Sequence, residues 1–418
     1  MFALAVSLGI LSYVLMGLGL LGSLNSASVY IALLVFLSTS PLWFPSPKLG
    51  EGTKRRGIFL FGILLIQALI NLIGALGPEL GFDALWYHTT IPKIWLANHK
   101  ITFLGGDYYY SGLPKLIDML YVYPGAQLIH FSFGILTLLV IYKLARKYLD
   151  SFGALLACII FYSNLAVGWQ SITAYIDLGR TFFEILALYL FVNKKYLQTA
   201  VVLGLAISTK ILALGSVGIF LFLGLPIAYC LVPFLIVSPW LIFNYLSTGN
   251  PIYPIFSGYQ IDWNFSINIL RLADPINPIY VMVLPFLITP PFPPLKLRGG
   301  TEEGDIRTLI IYCVLSFIVW FLTPHTGGGR FLMPYLPAWS ILVAIVTEQQ
   351  SDKVTKKFLI IMIIILALVS IGYRGIANAK YIPYLLGSQT RREFLDKYLL
   401  YHKPYLRDGI MVIQSSGR

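Results

Sequence analysis

Charge is scarce in this chain. Of its 418 residues only 11% are Asp, Glu, Lys or Arg, while 57% are hydrophobic, and soluble domains carry about 25% charged residues. The mean hydropathy is +0.78. A water-soluble core cannot hide that much apolar surface, which excludes a soluble enzyme and implies a polytopic membrane protein. Cysteine is nearly missing too. Cys158, Cys230 and Cys313 sit alone in apolar runs, without the spacing of a zinc or redox site, and read as small buried residues. No Asp-x-Asp, His-Glu-x-x-His or Cys-x-x-Cys occurs, and no Walker or dinucleotide fingerprint follows a strand. ATP- or NAD-driven chemistry is set aside on that ground. No cofactor is named by the sequence, and a divalent metal is left open. No Lys or Arg precedes Lys48, so the basic start of a cleavable signal peptide is missing and residues 1–22 are expected to be a retained first helix.

What the chain does have is apolar runs. They lie near 3–22, 27–44, 57–76, 125–142, 152–168, 179–192, 197–209, 212–225, 227–245, 278–292, 308–323, 331–347 and 358–372. Crossing a bilayer takes about 20 residues, and backbone facing lipid must satisfy its own polar groups, so these runs are helices. The alternating segments of a barrel do not occur. The expected fold is all-α and polytopic, with about 13 transmembrane helices over residues 1–372. Residues 77–124 form a large loop with its own amphipathic pattern, Trp86, Tyr87, Ile91, Ile94 and Trp95 recurring at helical spacing around Pro92. Such a segment suits a helix lying in the plane of the membrane surface. Residues 373–418 are expected to be a short outer tail.

The net charge of +12 is explained by topology rather than by nucleic acid, since no basic stripe with interleaved aromatics appears. Five loops on one side hold 15 Lys and Arg, from Lys48 to Lys357, and the opposite loops hold 7 before the tail. By the positive-inside rule the N-terminus is cytoplasmic and the 77–124 loop faces outward. The protein is expected in the inner (cell) membrane.

The unusual polar residues gather on that outer side. Asp83, in Gly-Phe-Asp-Ala-Leu-Trp-Tyr-His (81–88), is either a general base at the membrane surface or a helix N-cap. Tyr87 and His88 follow it directly. Asp177, Arg180 and Glu184 share one helix face. They form either a structural ladder with Arg180 between two carboxylates or, with Asp177 turned toward Asp83, part of a substrate cavity; a charge at this depth must be paired or wet. Lys210, between two short apolar runs, either snorkels to the interface or holds a phosphate. Arg330 and His325 lie in Thr-Pro-His-Thr-Gly-Gly-Gly-Arg-Phe-Leu-Met-Pro (323–334). The three glycines let backbone approach a ligand, and the Arg fork suits phosphate, though it suits lipid headgroups as well. Asn244 ends a span ahead of a Gly-Asn-Pro turn.

Taken in order, Asp-Ala-Leu-Trp-Tyr-His with Ile-Pro-Lys-Ile-Trp (83–95), Ala-Tyr-Ile-Asp-Leu (174–178), Ser-Thr-Lys (208–210), Pro-Trp-x-x-x-Asn with Gly-Asn-Pro-Ile-Tyr-Pro (239–254) and Gly-Arg-Phe-Leu-Met-Pro (329–334) resemble the motifs of bacterial multi-pass glycosyltransferases of the GT-C fold. That group is related to protein O-mannosyltransferases and the lipid A aminoarabinose transferase. The resemblance covers roughly residues 57–347. It departs from the mannosyltransferases at Ala84, where they usually carry Glu, and in the short tail. It implies a sugar donor on a polyprenyl phosphate and an acceptor hydroxyl on protein, lipid or glycan. It also implies Asp83 and Asp177 as the acids and Lys210 and Arg330 as the phosphate-binding cations. Tyr87, His88, Arg180, Glu184, Asn244 and His325 are expected around the substrate cavity. The competing readings are a lipid-linked sugar flippase or other transporter, and a non-catalytic envelope subunit. Transporters place ionisable groups near mid-membrane between repeats, and no internal repeat is evident here.

Overall fold

The computed structural model describes residues 1–39, 54–257, 278–282, 303–323 and 328–399, with residues 406–407 and 410–411 of the tail. His325 lies outside the described residues. The chain is a bundle of helices: α1 (Phe2–Leu20), α2 (Ser26–Thr39), α3 (Lys54–Ala75), α4 (Thr90–Ala97), α5 (Ala126–Ala145), α6 (Ser151–Tyr162), α7 (Leu165–Gln170), α8 (Asp177–Val192), α9 (Tyr196–Thr209), α10 (Leu214–Phe222), α11 (Leu231–Thr248), α12 (Glu303–Leu322), α13 (Leu336–Gln349), α14 (Lys353–Ala379) and α15 (Arg391–Tyr398). The strand pairing among the described residues is a two-residue antiparallel ladder, Leu406 opposite Met411 and Arg407 opposite Ile410.

The protein is a multi-pass membrane protein. Among the described residues seven helical spans are long and apolar enough to cross a bilayer: α1, α3, α5, α11 with the turn before it (Ile227–Thr248), α12, the stretch Gly329–Gln349 that ends in α13, and α14. Their outward faces are lined by exposed Leu, Ile, Val and Phe, among them Ile10, Ile58, Leu235, Phe317 and Val369. The expected count of thirteen spans is not reached on this measure. Residues 40–44 of the 27–44 run and 283–292 of the 278–292 run lie outside the described residues; of the helices on the other runs, α6, α9 and α10 have 12, 14 and 9 residues. At 1.5 Å per residue a 12-residue helix covers about 18 Å, short of a hydrocarbon core about 30 Å thick. Neighbouring helices bury nearly all of α6 and most of α9, while α10 buries one face and leaves Leu221 and Phe222 exposed.

Helix α8 is the centre of the bundle. It packs against α5 on one side and α9 on the other, and every residue of it except Tyr189 is buried. A helix surrounded on all sides by protein can carry Asp177, Arg180 and Glu184 only if each finds a partner there. Around it, α6 packs on α3 and α13, and α3 packs on α14. Asp150 caps α6 by accepting the Gly153 N–H at 2.9 Å.

At one end of the bundle the 76–125 segment folds into a layer of short turns. Residues Ala84–His88 form a single π-helical turn, α4 follows, and two 3₁₀ turns cover Gly106–Gly112 and Asp118–Val122. The amphipathic pattern read from sequence is therefore broken at Thr89 rather than continuous. Pro92 sits in the first turn of α4, where its missing N–H costs nothing. Ile91 and Trp95 are fully buried, with Trp95 stacked near Trp240 at 6.4 Å between centroids, so this face of α4 meets protein. Helix α14 runs on through residue 373 to Ala379. Beyond it, Tyr381 and Phe394 stack at 5.1 Å and close over the start of the outer layer. At Gly77 a Cβ would come within 2.1 Å of the Tyr381 ring, so only glycine fits there.

Candidate active site

Four segments distant in sequence meet where the outer layer covers the ends of α8 and α9. Asp83 opens the π turn in αR conformation and makes no capping hydrogen bond with its side chain. Its backbone N–H donates to the Tyr175 hydroxyl at 3.2 Å, and its carboxylate turns to Arg330 instead. Arg330, in the 3₁₀ turn Gly328–Phe331, donates from Nη1 to Asp83 Oδ2 at 2.8 Å. Its Nε lies 3.8 Å from Asp177 Oδ2. Asp177, the first residue of α8, accepts from Lys210 Nζ at 2.6 Å on its other oxygen. The helix N-terminus favours a carboxylate at that position. Lys210 ends α9 in extended conformation, and the neighbouring Ser208 carbonyl accepts from the Leu116 N–H at 2.9 Å.

The result is an alternating chain, Asp83–Arg330–Asp177–Lys210, with two negative and two positive members. Side-chain exposure is 19% for Asp83, 14% for Arg330, 16% for Lys210 and 2% for Asp177. Charges this sheltered are tolerated because each acid faces a cation; removing one member would leave its neighbour uncompensated. Phe331 lies under both cations, its centroid 4.1 Å from Lys210 Nζ and 5.4 Å from the Arg330 guanidinium carbon. The Tyr175 ring lies 5.0 Å from that same carbon. Burial brings the Lys210 ammonium down to about 8, with Asp177 opposing the fall and Arg330 adding to it.

A second buried cluster stands just behind the first. His88 Nδ1 and Asp118 Oδ1 are 2.6 Å apart, and Lys115 Nζ is 3.3 Å from Asp118 Oδ2. Lys115 also lies 5.0 Å from the centre of the Tyr87 ring. Burial lowers the His88 imidazole despite the adjacent carboxylate. Burial alone would raise Asp118, but Lys115 and His88 together hold it below the usual carboxylate range. The Tyr87 ring packs at a tilt against His88 at 4.2 Å and against Tyr110 at 4.4 Å between centroids.

The other residues singled out from sequence are held elsewhere. Arg180 bonds to Glu184 Oε1 from Nε at 3.2 Å and to the Tyr335 hydroxyl from Nη2 at 2.8 Å. Ser216 donates to the same Glu184 oxygen at 2.6 Å. This network is buried inside the bundle, and Arg180 does not lie between two carboxylates: Asp177 takes its cations from Lys210 and Arg330. Asn244 donates to the Pro251 and Tyr253 carbonyls at 3.2 and 3.1 Å, closing the Gly-Asn-Pro turn. Its Oδ1 would lie 2.5 Å from a Cβ at Gly112.

Sequence reading passed over Glu79, Lys115, Asp118 and Tyr175. Glu79 and Asp118 are acids at the edges of apolar segments, a signal that was present in composition, but their partners are set by folding. Among the described residues no group of three or more His, Cys, Asp or Glu side chains is placed to hold a metal ion.

By its likeness to solved structures this bundle has the GT-C fold of polytopic membrane proteins. The structure is similar to ArnT, the aminoarabinose transferase, from Cupriavidus metallidurans bound to undecaprenyl phosphate, with a TM-score of 0.56 over 84% of this chain and 75% of that one at 14% identity. The apo state of the same protein matches at 0.54, with the same identity and coverage. The apo oligosaccharyltransferase of Archaeoglobus fulgidus reaches 0.46 at 12% identity, over 78% of this chain and 56% of that one. At these identities the likeness is one of fold. No family model and no curated protein matches the chain.

Proposed function

We propose that this protein is a membrane glycosyltransferase that moves a sugar from a polyprenyl-phosphate donor to an acceptor hydroxyl on protein, lipid or glycan, at the extracytoplasmic face of the inner membrane. The observation that carries the reading is the chain of ion pairs linking Asp83, Arg330, Asp177 and Lys210. It supplies a carboxylate for proton transfer beside two cations suited to a phosphate. The ArnT structure that shares the fold has undecaprenyl phosphate bound, which supports a lipid phosphate as the anionic partner here. Asp83, Asp177, Lys210 and Arg330 all gather in one place, and this favours chemistry at a surface over a transport path through mid-membrane.

The mechanism follows from exchange of partners. The donor phosphate is an anion and competes with the two carboxylates for Arg330 and Lys210. As the guanidinium turns to the phosphate, the Asp83 carboxylate is freed to accept the acceptor's hydroxyl proton, a contribution typically of about 10²–10⁴-fold. The acceptor oxygen forms its bond to the anomeric carbon from the side opposite the phosphate. The bond from that carbon to the phosphate oxygen breaks, and its electron pair leaves on the phosphate. Lys210 and Arg330 stabilise the charge that grows there, the kind of electrostatic term that is often largest. Asp177 holds Lys210 and Arg330 in place between turnovers. One displacement inverts the anomeric centre; a single base on one side suits this better than a nucleophilic carboxylate pair.

The test is to incubate purified protein with a panel of polyprenyl-phosphate sugars and to follow free polyprenyl phosphate together with acceptor labelling. Release of the lipid phosphate with inversion is the expected result. Movement of intact donor across a vesicle bilayer with no release would replace the reading with a flippase.

A further inference from the structure

Glu79 belongs to no group considered so far. It is 9% exposed and stands four residues before Asp83 on the loop leaving α3. Its Oε1 accepts the Leu80 and Gly81 N–H groups at 2.9 and 2.7 Å. Its Oε2 accepts the N–H of Ala174 at 2.7 Å, 95 residues further on. Ala174 is three residues before Asp177. One buried carboxylate thus bonds to both loops that deliver the acids of the site, close to where each acid emerges.

We propose that Glu79 is a positioning residue, whose bond to Ala174 locks the Asp83 loop to the Asp177 loop and sets the gap that Arg330 bridges. The inference rests on the reading of Asp83 and Asp177 as the acids of a transferase. Three features support it. The first is charge: no cation lies within ion-pair distance of Glu79 among the described residues, so backbone N–H dipoles are its direct partners. Such an anion fixes backbone rather than balancing a side chain. The second is space. A Cβ on Gly81 would stand 3.0 Å from both Glu79 Oε1 and the Tyr175 ring, so the loop is pressed against its partner. The third is that a second tie runs between the same two segments. The Asp83 N–H bonds to the Tyr175 hydroxyl at 3.2 Å, and from the Asp118–Val122 turn the Tyr121 hydroxyl donates to the Tyr175 carbonyl. Tyr175, whose ring faces Arg330, is therefore fixed by the same clamp.

The groups whose charges act on Glu79, or feel its charge, are Lys93, Tyr121, Tyr175 and Tyr381. Burial pushes the Glu79 carboxyl up to about 7, against the pull of the three N–H bonds and Lys93. Below that pH it takes a proton, one oxygen becomes a hydroxyl, and the set of three N–H bonds can no longer be kept.

Glu79→Gln separates the two halves of the clamp. The amide oxygen still serves Leu80 and Gly81, while the amide nitrogen opposes the Ala174 N–H. With the polyprenyl-phosphate sugar that turns over, kcat in E79Q is expected to fall about tenfold or more, with the Kd for undecaprenyl phosphate in detergent changed by less than about threefold. The wild-type acid limb in kcat near pH 7 is expected to vanish in E79Q. Hydrogen exchange at the Ala174 amide is expected to accelerate in E79Q while Leu80 and Gly81 stay protected. Wild-type kcat with the acid limb retained in E79Q would overturn the proposal, and so would unchanged Ala174 exchange. Should E79Q not fold, wild-type Ala174 exchange measured across pH 7 gives the same decision, since protection should drop on the acid side. If no sugar donor turns over in wild-type protein, the transferase reading fails by itself, and amide exchange still decides whether the clamp exists.

Discussion

Arg330 donates to the Asp83 carboxylate across 247 residues of chain, at 2.8 Å. While that bond stands, the guanidinium occupies the carboxylate oxygen that would meet an acceptor's proton. Under the proposed mechanism the donor phosphate removes that partner, so proton abstraction is coupled to donor binding.

Asp83→Asn tests this coupling directly. Turnover should fall by about 10²–10⁴-fold, while undecaprenyl phosphate binds at least as tightly as to wild type, because Arg330 is no longer held by a negative charge. Kinetics and a lipid-phosphate binding assay on the same preparation read both effects. Full turnover in D83N would end the assignment of Asp83 as base.

Arg330 has two acids to serve, with Nη1 toward Asp83 and Nε toward Asp177. A lysine is a point charge and cannot span both. Arg330→Ala should cost about a hundredfold or more in turnover, the order lost with one transition-state donor, and R330K should recover only part of it. Equal activity of R330K and wild type would show that charge alone matters at this position.

Lys210 should give the site an alkaline limit. Its ammonium is brought down to about 8 by burial, against the pull of Asp177. It is cationic below that pH and neutral above it, so affinity for undecaprenyl phosphate should weaken as pH rises through 8. Lys210→Arg keeps its charge over the same window, and its affinity should stay flat. A parallel decline in both proteins would assign the limit to another group.

The Arg180–Glu184 pair is a matter of stability rather than turnover. Both side chains are buried, with 2% and 0% exposure. Arg180→Met leaves the buried Glu184 carboxyl without its cation, at a cost of about 3–5 kcal/mol, which should appear as a lower Tm in detergent. The double variant R180M/E184M should regain most of the loss. An unchanged Tm in R180M would mean that Glu184 is satisfied by Ser216 alone.

Class and fold were legible because they follow from sums over long windows. Scarce charge and repeated apolar runs leave helices as the one way to satisfy backbone in lipid, and an all-α polytopic GT-C fold is what the structure has. Span count was less legible, since a run such as 152–168 does not reveal whether its neighbours will be lipid or protein; α6, on that run, has 12 residues and is buried. Asp177, Arg180 and Glu184 show the same limit at the level of single residues. Their spacing puts them on one face of a helix, yet Asp177, in the first turn, meets Lys210 and Arg330, while Arg180 and Glu184 face Tyr335 and Ser216.

Composition and hydrophobic pattern by themselves determined that this chain lives in a membrane as helices, and local motifs determined which polar residues deserved suspicion. Tertiary structure alone decided the pairing: Asp83 with Arg330, Asp177 with Lys210, and Glu79 with the Ala174 N–H. Helical propensity and apolar burial act over a few turns and leave a trace in sequence. Ion pairs and backbone-to-carboxylate bonds join points 33 to 247 residues apart, and no period along the chain encodes them.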